Sequence, residues 1–503
     1  MTLRSKFGVA LGLLCALGQA MAAPDWEEAT RTIETALARW EIPGAAVVVV
    51  HQGKVVYERG FGFSDLASRK PVDLDTLFPI ASNTKGFTTA ATAILAAEGR
   101  LSWDDPVIRH LPEFALSDPT LAPRVTLRDL ASHRIGLPTY GGDLLWWNSN
   151  YTRADILARL RYIPVTGDFR ATYAYCNLAF VALGEVVARA GGVGSWEDFI
   201  QARLLDPLKM TRTYPTLARA RAKDASALIT AYSRIGEKLT PVALTEMDAA
   251  APAGGMVSNA RDYAAWLQFQ LNEGAPLLPA GAMTTLRTPH VLVPISAAER
   301  ARIPETVFRA AGLGWFIRDY RGSELFQHNG ALDGAFSSTS FFPATRTGVA
   351  VFTNRDHHTL ATALNYYLQD LLLGAPFTDW SERFRAAAIA SAADETEPES
   401  GIAVSAEEIV GSYETPLYGE ARIAIESGAT VLTLSAHPRE RAILRPGRGN
   451  LLIATWSDPV WGKSAVRFEQ GFDGTVSGFR LSIRPDWIDE LEYAFARKKE
   501  KKP

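Results

Sequence analysis

The sequence has only two cysteines, Cys15 and Cys176, among 503 residues, so the disulfide framework of a small secreted protein is excluded. Its net charge is −3 at neutral pH, which argues against a nucleic-acid-binding protein that relies on phosphate contacts. His357-His358 lacks a spaced carboxylate or cysteine partner, and we therefore expect no metal ion and no other cofactor. The chain does contain 47% hydrophobic residues, which is typical of a globular protein of two or three domains.

Residues 1–22 have the pattern of a cleaved export signal. Arg4 and Lys6 precede an apolar run over residues 7–17, and Ala20-Met21-Ala22 fits a cleavage site. Because the run is shorter than the roughly 20 residues of a membrane span, a signal peptide is favoured over an anchor. We expect a periplasmic or secreted bacterial protein that has no membrane span after the signal is removed.

The spacing of apolar residues predicts a mixed α and β domain over residues 23–385. Helical spacing at 26–40 precedes a β-branched run at 45–50 and an alternating segment at 54–61, which predicts a helix followed by a hairpin. Further buried helices are predicted at 90–101 and 179–190, and further strands at 313–317, 336–342 and 348–353. Since helices dominate the middle and strands lie at both ends, we expect an α+β sandwich in which one sheet packs against a helical block.

A change of composition separates this domain from the C-terminal part. Residues 386–404 are rich in Ala, Ser and Glu and contain Pro398, which predicts a linker. Within residues 405–495, alternating apolar segments occur at 422–425, 430–434, 451–456, 466–469 and 476–481. This period of two predicts a small antiparallel barrel or sandwich. Residues 496–503 are expected to form a solvated basic tail.

The stretch FPIASNTKGF places Ser82 and Lys85 three residues apart, on one face of a predicted helix. Pro79 precedes the helix, so Ser82 is expected at its N-terminus, where free backbone N–H groups favour a developing anion. A lysine whose pKa is lowered by burial can help to remove the hydroxyl proton. Taken alone, the pair is more simply explained as a helix cap and a surface lysine.

A second motif is formed by Tyr175 and Asn177, which flank Cys176 and lead into a helix. A tyrosine among cations can shift toward phenolate and act as a base. An asparagine amide can contact a lysine and a substrate carbonyl together. A core tyrosine beside a helix cap is the alternative interpretation.

The third motif is His328-Asn329-Gly330, in a predicted strand followed by a further glycine. Glycine allows a strand to pass close to a ligand, and a backbone N–H here is suited to an oxyanion hole together with that of Ser82. A strand edge with a surface histidine is the alternative.

In this order, S-x-x-K, Y-x-N and H-x-G resemble the motifs of the serine β-lactamase and penicillin-binding protein superfamily. In particular they resemble its class C-like serine hydrolase branch, which includes esterases, D-stereospecific peptidases and carboxypeptidases. The likeness extends over about residues 26–373 and includes the segments 125–138, 207–211, 252–262 and 352–354. Residues 405–495 are similar to the lipocalin-like β domain that follows some of these hydrolases.

The resemblance implies a role for each motif residue. Ser82 would be the nucleophile that forms an acyl-enzyme, Lys85 would assist its activation, and Tyr175 would carry the proton to the leaving group. Asn177 would orient Lys85 and the substrate amide. The remaining positions would complete the oxyanion hole and line the strand beside the substrate: Ala331 with the N–H of Ser82, then His328, Asn329 and Gly330.

One departure from the family pattern concerns substrate choice. β-Lactamases and DD-carboxypeptidases usually carry K-T-G or K-S-G where this chain has His328-Asn329-Gly330. Lysine is a permanent cation suited to a substrate carboxylate, whereas histidine is mostly neutral at pH 7. The H-x-G form resembles the esterase and peptidase members and argues against efficient β-lactam hydrolysis.

These observations predict an exported serine hydrolase that cleaves an amide or ester in a small molecule or peptide, including D-residue peptides. A β-lactamase or DD-carboxypeptidase and a non-catalytic penicillin-binding-like protein are the alternatives. The C-terminal domain is expected to be structural, to form a homo-oligomer or to cover the cleft. Four aromatic residues near a glycine-rich loop fit either a hydrophobic cluster or a wall of the cleft: Tyr140, Trp146, Trp147 and Tyr151.

Overall fold

The computed structural model describes residues 24–391, 403–448, 451–483 and 492–499. The predicted signal peptide at 1–22 lies outside the described residues, as do 392–402 of the predicted linker and 500–503 of the predicted tail. The described chain forms an α+β domain followed by a closed β-barrel, which confirms the predicted fold class.

The α+β domain is built on one antiparallel sheet of nine strands. Two adjacent strands join the two ends of the domain, because Gly44–His51 pairs with Thr347–Thr353 and places Ala45 opposite Thr353. The strands follow in this spatial order: Lys70–Pro71, Lys54–Asp65, Gly44–His51, Thr347–Thr353, Ala335–Phe342, Ser323–Leu332, Phe316–Tyr320, Arg309–Ala311 and Val291–Leu292.

Both faces of this sheet are covered, which explains the unbroken apolar run of the first strand. Val47 and Val49 pack into one hydrophobic cluster with the terminal helices. Val48 and Val50 point to the opposite face and join the cluster of the helical block. The helices on the first face are Trp26–Arg39, which is capped by Asp25, Leu360–Leu373 and Trp380–Ser391.

The helical block lies against the second face. Its centre is the helix Thr84–Ala97, in which twelve residues are buried against Asn177–Gly191 and neighbouring segments. The other helices of the block and its edges are Leu127–Ala131, Arg153–Arg159, Trp196–Ile200, Leu217–Asp224, Ala251–Gly254, Ala260–Leu271, Ala282–Arg287 and Ala297–Arg302. Two small two-stranded sheets accompany them: Phe78–Pro79 with Val257–Ser258, and the hairpin of Ala231–Ile235 with Lys238–Val242.

Several element boundaries differ from the sequence prediction, and glycines explain two of the differences. The helix expected at 90–101 begins at Thr84 and ends at Ala97, because Gly99 adopts a φ of +70° shortly after its end. The strand expected at 313–317 is Phe316–Tyr320. Gly314, with a φ of +76°, forms a turn that packs against Lys85 and Thr89 instead of extending the strand.

The C-terminal part is a closed antiparallel barrel of eight strands, which decides between the predicted barrel and sandwich. It closes where Tyr413 pairs with Arg497. Its strands are Gly411–Thr415, Gly419–Glu426, Ala429–Leu434, Arg441–Pro446, Leu452–Trp456, Lys463–Gln470, Val476–Leu481 and Tyr493–Arg497, preceded by the short helix Ala406–Ile409.

The predicted boundaries of the linker and the tail need correction. The helix Trp380–Ser391 continues past the predicted linker start at residue 386. The last barrel strand crosses the predicted tail start at 496, because Arg497 closes the ladder and Lys498 pairs with Glu420 at 2.6 Å. Among the described residues, no single helix has the length and apolar composition to cross a membrane; one bent pair of helices passes that test by length and composition only.

Candidate active site

Ser82 lies in a strained turn immediately before the central helix. The turn Ala81–Asn83 leads directly into Thr84–Ala97, so Ser82 sits at the predicted helix start. Ala81 has a φ of +47°, a conformation that costs a residue with a β-carbon about 1–3 kcal/mol. The turn is held by Ser337, whose hydroxyl donates to the carbonyl oxygen of Ile80 at 2.7 Å and accepts from Asn83 at 2.8 Å.

Lys85 is fully buried and its Nζ lies 3.0 Å from Oγ of Ser82. It also donates to Oδ1 of Asn177 at 2.7 Å and to the carbonyl oxygen of Ala253 at 2.6 Å. These three acceptors match the three N–H groups of an ammonium. A neutral amine keeps two N–H groups for Asn177 and Ala253, and its lone pair then faces the hydroxyl of Ser82.

The electrostatics of Lys85 favour that neutral form near pH 7. Burial lowers the pKa of Lys85 from 10.5 to about 7, since desolvation penalises the cation, although the nearby Asp143 opposes the shift. The amine is therefore partly deprotonated under physiological conditions and can accept a proton.

Asn177 links Lys85 to a buried carboxylate. Its side-chain Nδ2 donates to Oδ2 of Asp143 at 2.6 Å while its Oδ1 faces Lys85. This arrangement fixes the orientation of the amide. Asp143 is 1% exposed and starts a short turn after Gly142, which adopts a φ of +84°. The sequence analysis missed Asp143, because no spacing relates it to the three motifs.

Tyr175 lines the site. The sequence suggested that its phenol could shift toward phenolate, and this interpretation is wrong. Burial raises the pKa of Tyr175 well above 10, while its hydrogen bond with Ser82 acts in the opposite direction without overcoming burial. Lys85 lies 4.8 Å from the centre of its ring. Tyr175 is therefore a neutral hydroxyl that can donate a proton.

His133 packs against the second motif and contacts both Tyr175 and Cys176. Its Nδ1 accepts a hydrogen bond from the backbone N–H of Cys176 at 3.1 Å, and its ring stacks on Tyr175 with centroids 4.5 Å apart. Burial lowers the pKa of His133 well below 6.5, so the ring stays neutral. It orients the segment that carries Tyr175 and Asn177.

The third motif runs along the edge of the site on strand Ser323–Leu332. A neutral His328 donates from Nδ1 to the carbonyl oxygen of Asn329 at 2.6 Å, and burial lowers its pKa to about 3. Gly330 passes so close to the nucleophile turn that a β-carbon there would lie 2.2 Å from the oxygen of Ile80. Ala331 follows and faces the cavity.

A cavity of about 450 Å³ brings the predicted residues together. Of the eight, Gly330 is absent from its lining and Lys85 is buried beside it. The other six line the cavity: Ser82, Tyr175, Asn177, His328, Asn329 and Ala331.

The aromatic cluster divides between two roles. Tyr140 and Trp146 line the cavity, together with Tyr173 and Phe316. Trp147 instead stacks on Trp461 of the barrel, with centroids 4.5 Å apart. Two of the four residues thus form a cleft wall, and Trp147 belongs to the contact between the domains.

Arg309 also lines the cavity and was not foreseen from the sequence. Its guanidinium lies over the ring of Phe316, 4.2 Å from the centroid, and 3.3 Å from Glu299. Glu299 also pairs with Arg318 at 2.7 Å, so two arginines share this carboxylate. Arg309 therefore places positive charge beside His328, whose pKa it helps to lower.

No group of three or more His, Cys, Asp or Glu residues suited to a metal ion occurs in the described ranges. The polar residues of the cavity instead form the serine, lysine and amide network set out above.

Comparison with known proteins identifies the family of the chain. Residues 29–373 match the Beta-lactamase family, and the chain belongs to that family of serine hydrolases. The solved octameric penicillin-binding protein homologue from Pyrococcus abyssi is similar in fold, with a TM-score of 0.62 at 21% identity over 94% of this chain and 100% of that one.

Two curated relatives are more similar in sequence. Unguisins hydrolase ungD from Aspergillus violaceofuscus is 28% identical over 390 residues, which cover 70% of this chain and 66% of the relative. Protein flp from Staphylococcus aureus is 27% identical over 339 residues, which cover 65% of this chain and 63% of the relative. The chain thus spans slightly less than two thirds of the length of these relatives.

Proposed function

We propose that the protein is an exported serine hydrolase that forms an acyl-enzyme on Ser82 and cleaves an amide or ester bond. The observation that carries the proposal is the contact between Lys85 and Ser82, 3.0 Å apart, in a site where the pKa of Lys85 is about 7. A buried amine poised near neutrality has the property required of a general base.

In the first step, Lys85 accepts the proton of the Ser82 hydroxyl as Oγ bonds to the substrate carbonyl carbon. The N–H groups of Ser82 and Ala331 stabilise the resulting oxyanion. Tyr175 donates its proton to the leaving group and regains one from the Lys85 ammonium. Water then attacks the carbonyl carbon of the acyl-enzyme, and its proton passes to the neutral Lys85. The bond from that carbon to Oγ of Ser82 breaks, and Oγ takes the proton back from the Lys85 ammonium as the acid product leaves.

The substrate class remains a proposal that rests on the cavity. Its wall combines aromatic rings such as Tyr173 and Phe316 with polar side chains such as Gln327, which suits a small molecule or a peptide, including one with D-residues. The name of the Aspergillus relatives describes hydrolysis of unguisins, and we carry over the hydrolytic activity alone.

Turnover of activated esters by Ser82→Ala tests the proposal. Wild-type protein should hydrolyse p-nitrophenyl esters and form a covalent adduct with a fluorophosphonate probe. Ser82→Ala should lose both, because no oxygen remains to accept the acyl group. Ser226→Ala, which removes an exposed hydroxyl outside the cavity lining, should keep both. Equal hydrolysis by Ser82→Ala and wild type would overturn the assignment, and failure of the wild type to label would favour a non-catalytic binding protein.

A second candidate, a DD-carboxypeptidase or β-lactamase, is favoured by Arg309. Neutral His328 lacks the cation of K-T-G, but the Arg309 guanidinium on the same cavity wall can pair with a substrate carboxylate. Arg309→Gln should raise the KM for a carboxylate-bearing peptide or nitrocefin about tenfold and leave neutral esters unchanged. Arg302→Gln, which removes a neighbouring arginine outside the cavity lining, is the control. If the wild type hydrolysed neither the carboxylate-bearing peptide nor nitrocefin, the DD-carboxypeptidase or β-lactamase function would be excluded.

We also propose export to the periplasm or exterior after cleavage behind Ala22. Mass spectrometry of protein from a fractionated bacterial host should find a mature chain that begins at residue 23. An uncleaved N-terminus in the cytoplasmic fraction would contradict this.

For the barrel we propose a lipocalin-like architecture used for structure and assembly, since buried aromatic side chains such as Tyr413, Phe479 and Phe495 fill its interior. The octamer named for the Pyrococcus homologue supports homo-oligomerisation. Light scattering should give a mass several times that of one chain, and a monomer at micromolar concentration would overturn the assembly.

A further inference from the structure

The barrel contacts residues 147–150, the segment that follows Asp143. The ring of Trp461 stacks on Trp147 with centroids 4.5 Å apart and planes inclined by 28°. Two hydrogen bonds add to this contact: the backbone N–H of Asn150 donates to the carbonyl oxygen of Ala436 at 2.9 Å, and the side-chain Nδ1 of His437 donates to that of Asn148 at 3.3 Å. Residues 147–150 are therefore held by barrel groups at both ends.

Trp147 in turn touches the strand of the third motif. Its indole N–H donates to Oδ2 of Asp333 at 2.8 Å, and Thr245 donates to the same oxygen at 2.8 Å. Asp333 lies two residues after Ala331, just beyond the end of the strand Ser323–Leu332. Trp147 and Trp461 are both fully buried, so the contact excludes water.

The same loop reaches the general base. The backbone N–H of Trp147 donates to the carbonyl oxygen of Asp143 at 3.1 Å, within one turn of chain. Asp143 accepts from Asn177 at 2.6 Å, and Asn177 accepts from Lys85 at 2.7 Å. Movement of Trp147 would therefore displace groups on both sides of Ser82.

We propose that Trp461 is a positioning residue for the catalytic centre, which acts by holding Trp147 and, through it, Asp143 and Asp333. The inference rests on the proposed hydrolase function and gives the barrel a part in catalysis beyond packing. If the stack were only a domain contact, its loss would lower stability without changing the chemistry of folded protein.

The kinetics of Trp461→Ala distinguish a positioning role of Trp461 from a purely structural contact between the domains. In full-length folded protein, kcat should fall about 10- to 100-fold, the loss typical of a small misplacement of catalytic groups. KM for a small neutral ester should change little, since neither tryptophan lines the cavity. The acidic limb of the pH profile should move to lower pH, because a displaced Asp143 stabilises the Lys85 cation less.

Three further variants make the test specific. Trp461→Phe keeps an aromatic face and should restore most of kcat. Trp147→Phe keeps the stack but removes the N–H to Asp333, and should lower kcat with an unchanged acidic limb. Phe468→Leu alters the barrel core, where Phe468 packs on Phe479 with centroids 5.7 Å apart, and should keep wild-type kinetics.

A folded Trp461→Ala with wild-type kcat and pH profile would overturn the proposal. So would an equal loss in Phe468→Leu, since general weakening of the barrel would then explain both. Hydrogen exchange is independent of turnover: amides of residues 143–150 should exchange faster in Trp461→Ala than in Phe468→Leu. Equal exchange would refute the positioning role, whereas a wild type that hydrolyses neither esters nor amides and does not label with a fluorophosphonate would refute the proposed function instead.

Discussion

Gly330 and Ile80 approach so closely that a β-carbon on residue 330 would lie 2.2 Å from the Ile80 carbonyl oxygen. The added carbon would also lie 2.5 Å from Oγ of Ser337, the group that anchors the nucleophile turn. The strand of the third motif and the turn that carries Ser82 are therefore a single packed unit.

Gly330→Ala should disturb Ser82 without unfolding the protein. Because backbone must move by several tenths of an ångström, ester hydrolysis should fall about 10- to 100-fold. Kinetics and a circular dichroism spectrum check this. Gly194→Ala is the matched control, since Gly194 likewise has no positive φ and an added carbon there would lie 3.6 Å from Oδ2 of Asp198, an ordinary contact. Wild-type activity in Gly330→Ala would contradict the close packing.

The pH dependence of kcat/KM should follow Lys85. With a pKa of about 7, the neutral amine is lost as pH falls, so the rate should drop tenfold per unit below about pH 7 and level off above it. Since burial raises the pKa of Tyr175 and lowers that of His328, neither should add a second limb between pH 5 and 9. A profile that is flat from pH 5 to 9 would exclude Lys85 as the base.

Replacing Asp143 by Asn should shift that limb toward lower pH. The negative charge of Asp143 raises the pKa of Lys85, and its removal should lower the midpoint by about one pH unit. The Asn oxygen can still accept from Asn177, so the maximal rate should fall only modestly. Asp143→Leu, which removes the acceptor as well, should lose far more activity. An unchanged midpoint in Asp143→Asn would show that this charge does not act on Lys85.

Asp333→Asn should stabilise the protein above neutral pH. Burial raises the pKa of Asp333 from 3.8 to about 7, so the folded state holds a proton that the unfolded state has released between these values. This group therefore makes stability fall as pH rises from about 4 to 7. When the free energy of unfolding is measured by urea titration at several pH values, its decline between about pH 4 and 7 should be smaller in Asp333→Asn than in the wild type. Asp206→Asn, at an exposed position, should show the wild-type decline. A steeper decline in Asp333→Asn would contradict the argument.

Several features of the fold were predictable because they are local. The unbroken run of apolar residues at 45–50 predicted a buried strand. In the structure, the valines of this run alternate between the two faces of one sheet, and both faces are buried. Alternation in the C-terminal part predicted five of eight barrel strands. The segment Arg441–Pro446 was missed because only Ala442 and Leu444 are buried in it.

Other features depend on contacts between distant parts of the chain. Arg134, for example, donates to the carbonyl oxygen of His290 at 2.9 Å, although 156 residues separate the two positions. Arg309 likewise reaches the cavity from a short strand next to the sheet edge, which no sequence motif predicted.

The sequence by itself determined which residues have side chains suited to catalysis and in which order their motifs occur. It could do so because side-chain type, and the period of a helix or strand, can be read from neighbouring positions. Tertiary structure alone decided how they act. It buried Lys85 and so lowered its pKa, kept Tyr175 a neutral phenol, and placed Asp143 behind Asn177. Desolvation and charge pairing arise only when remote segments pack together, and so they could not be read from spacing along the chain.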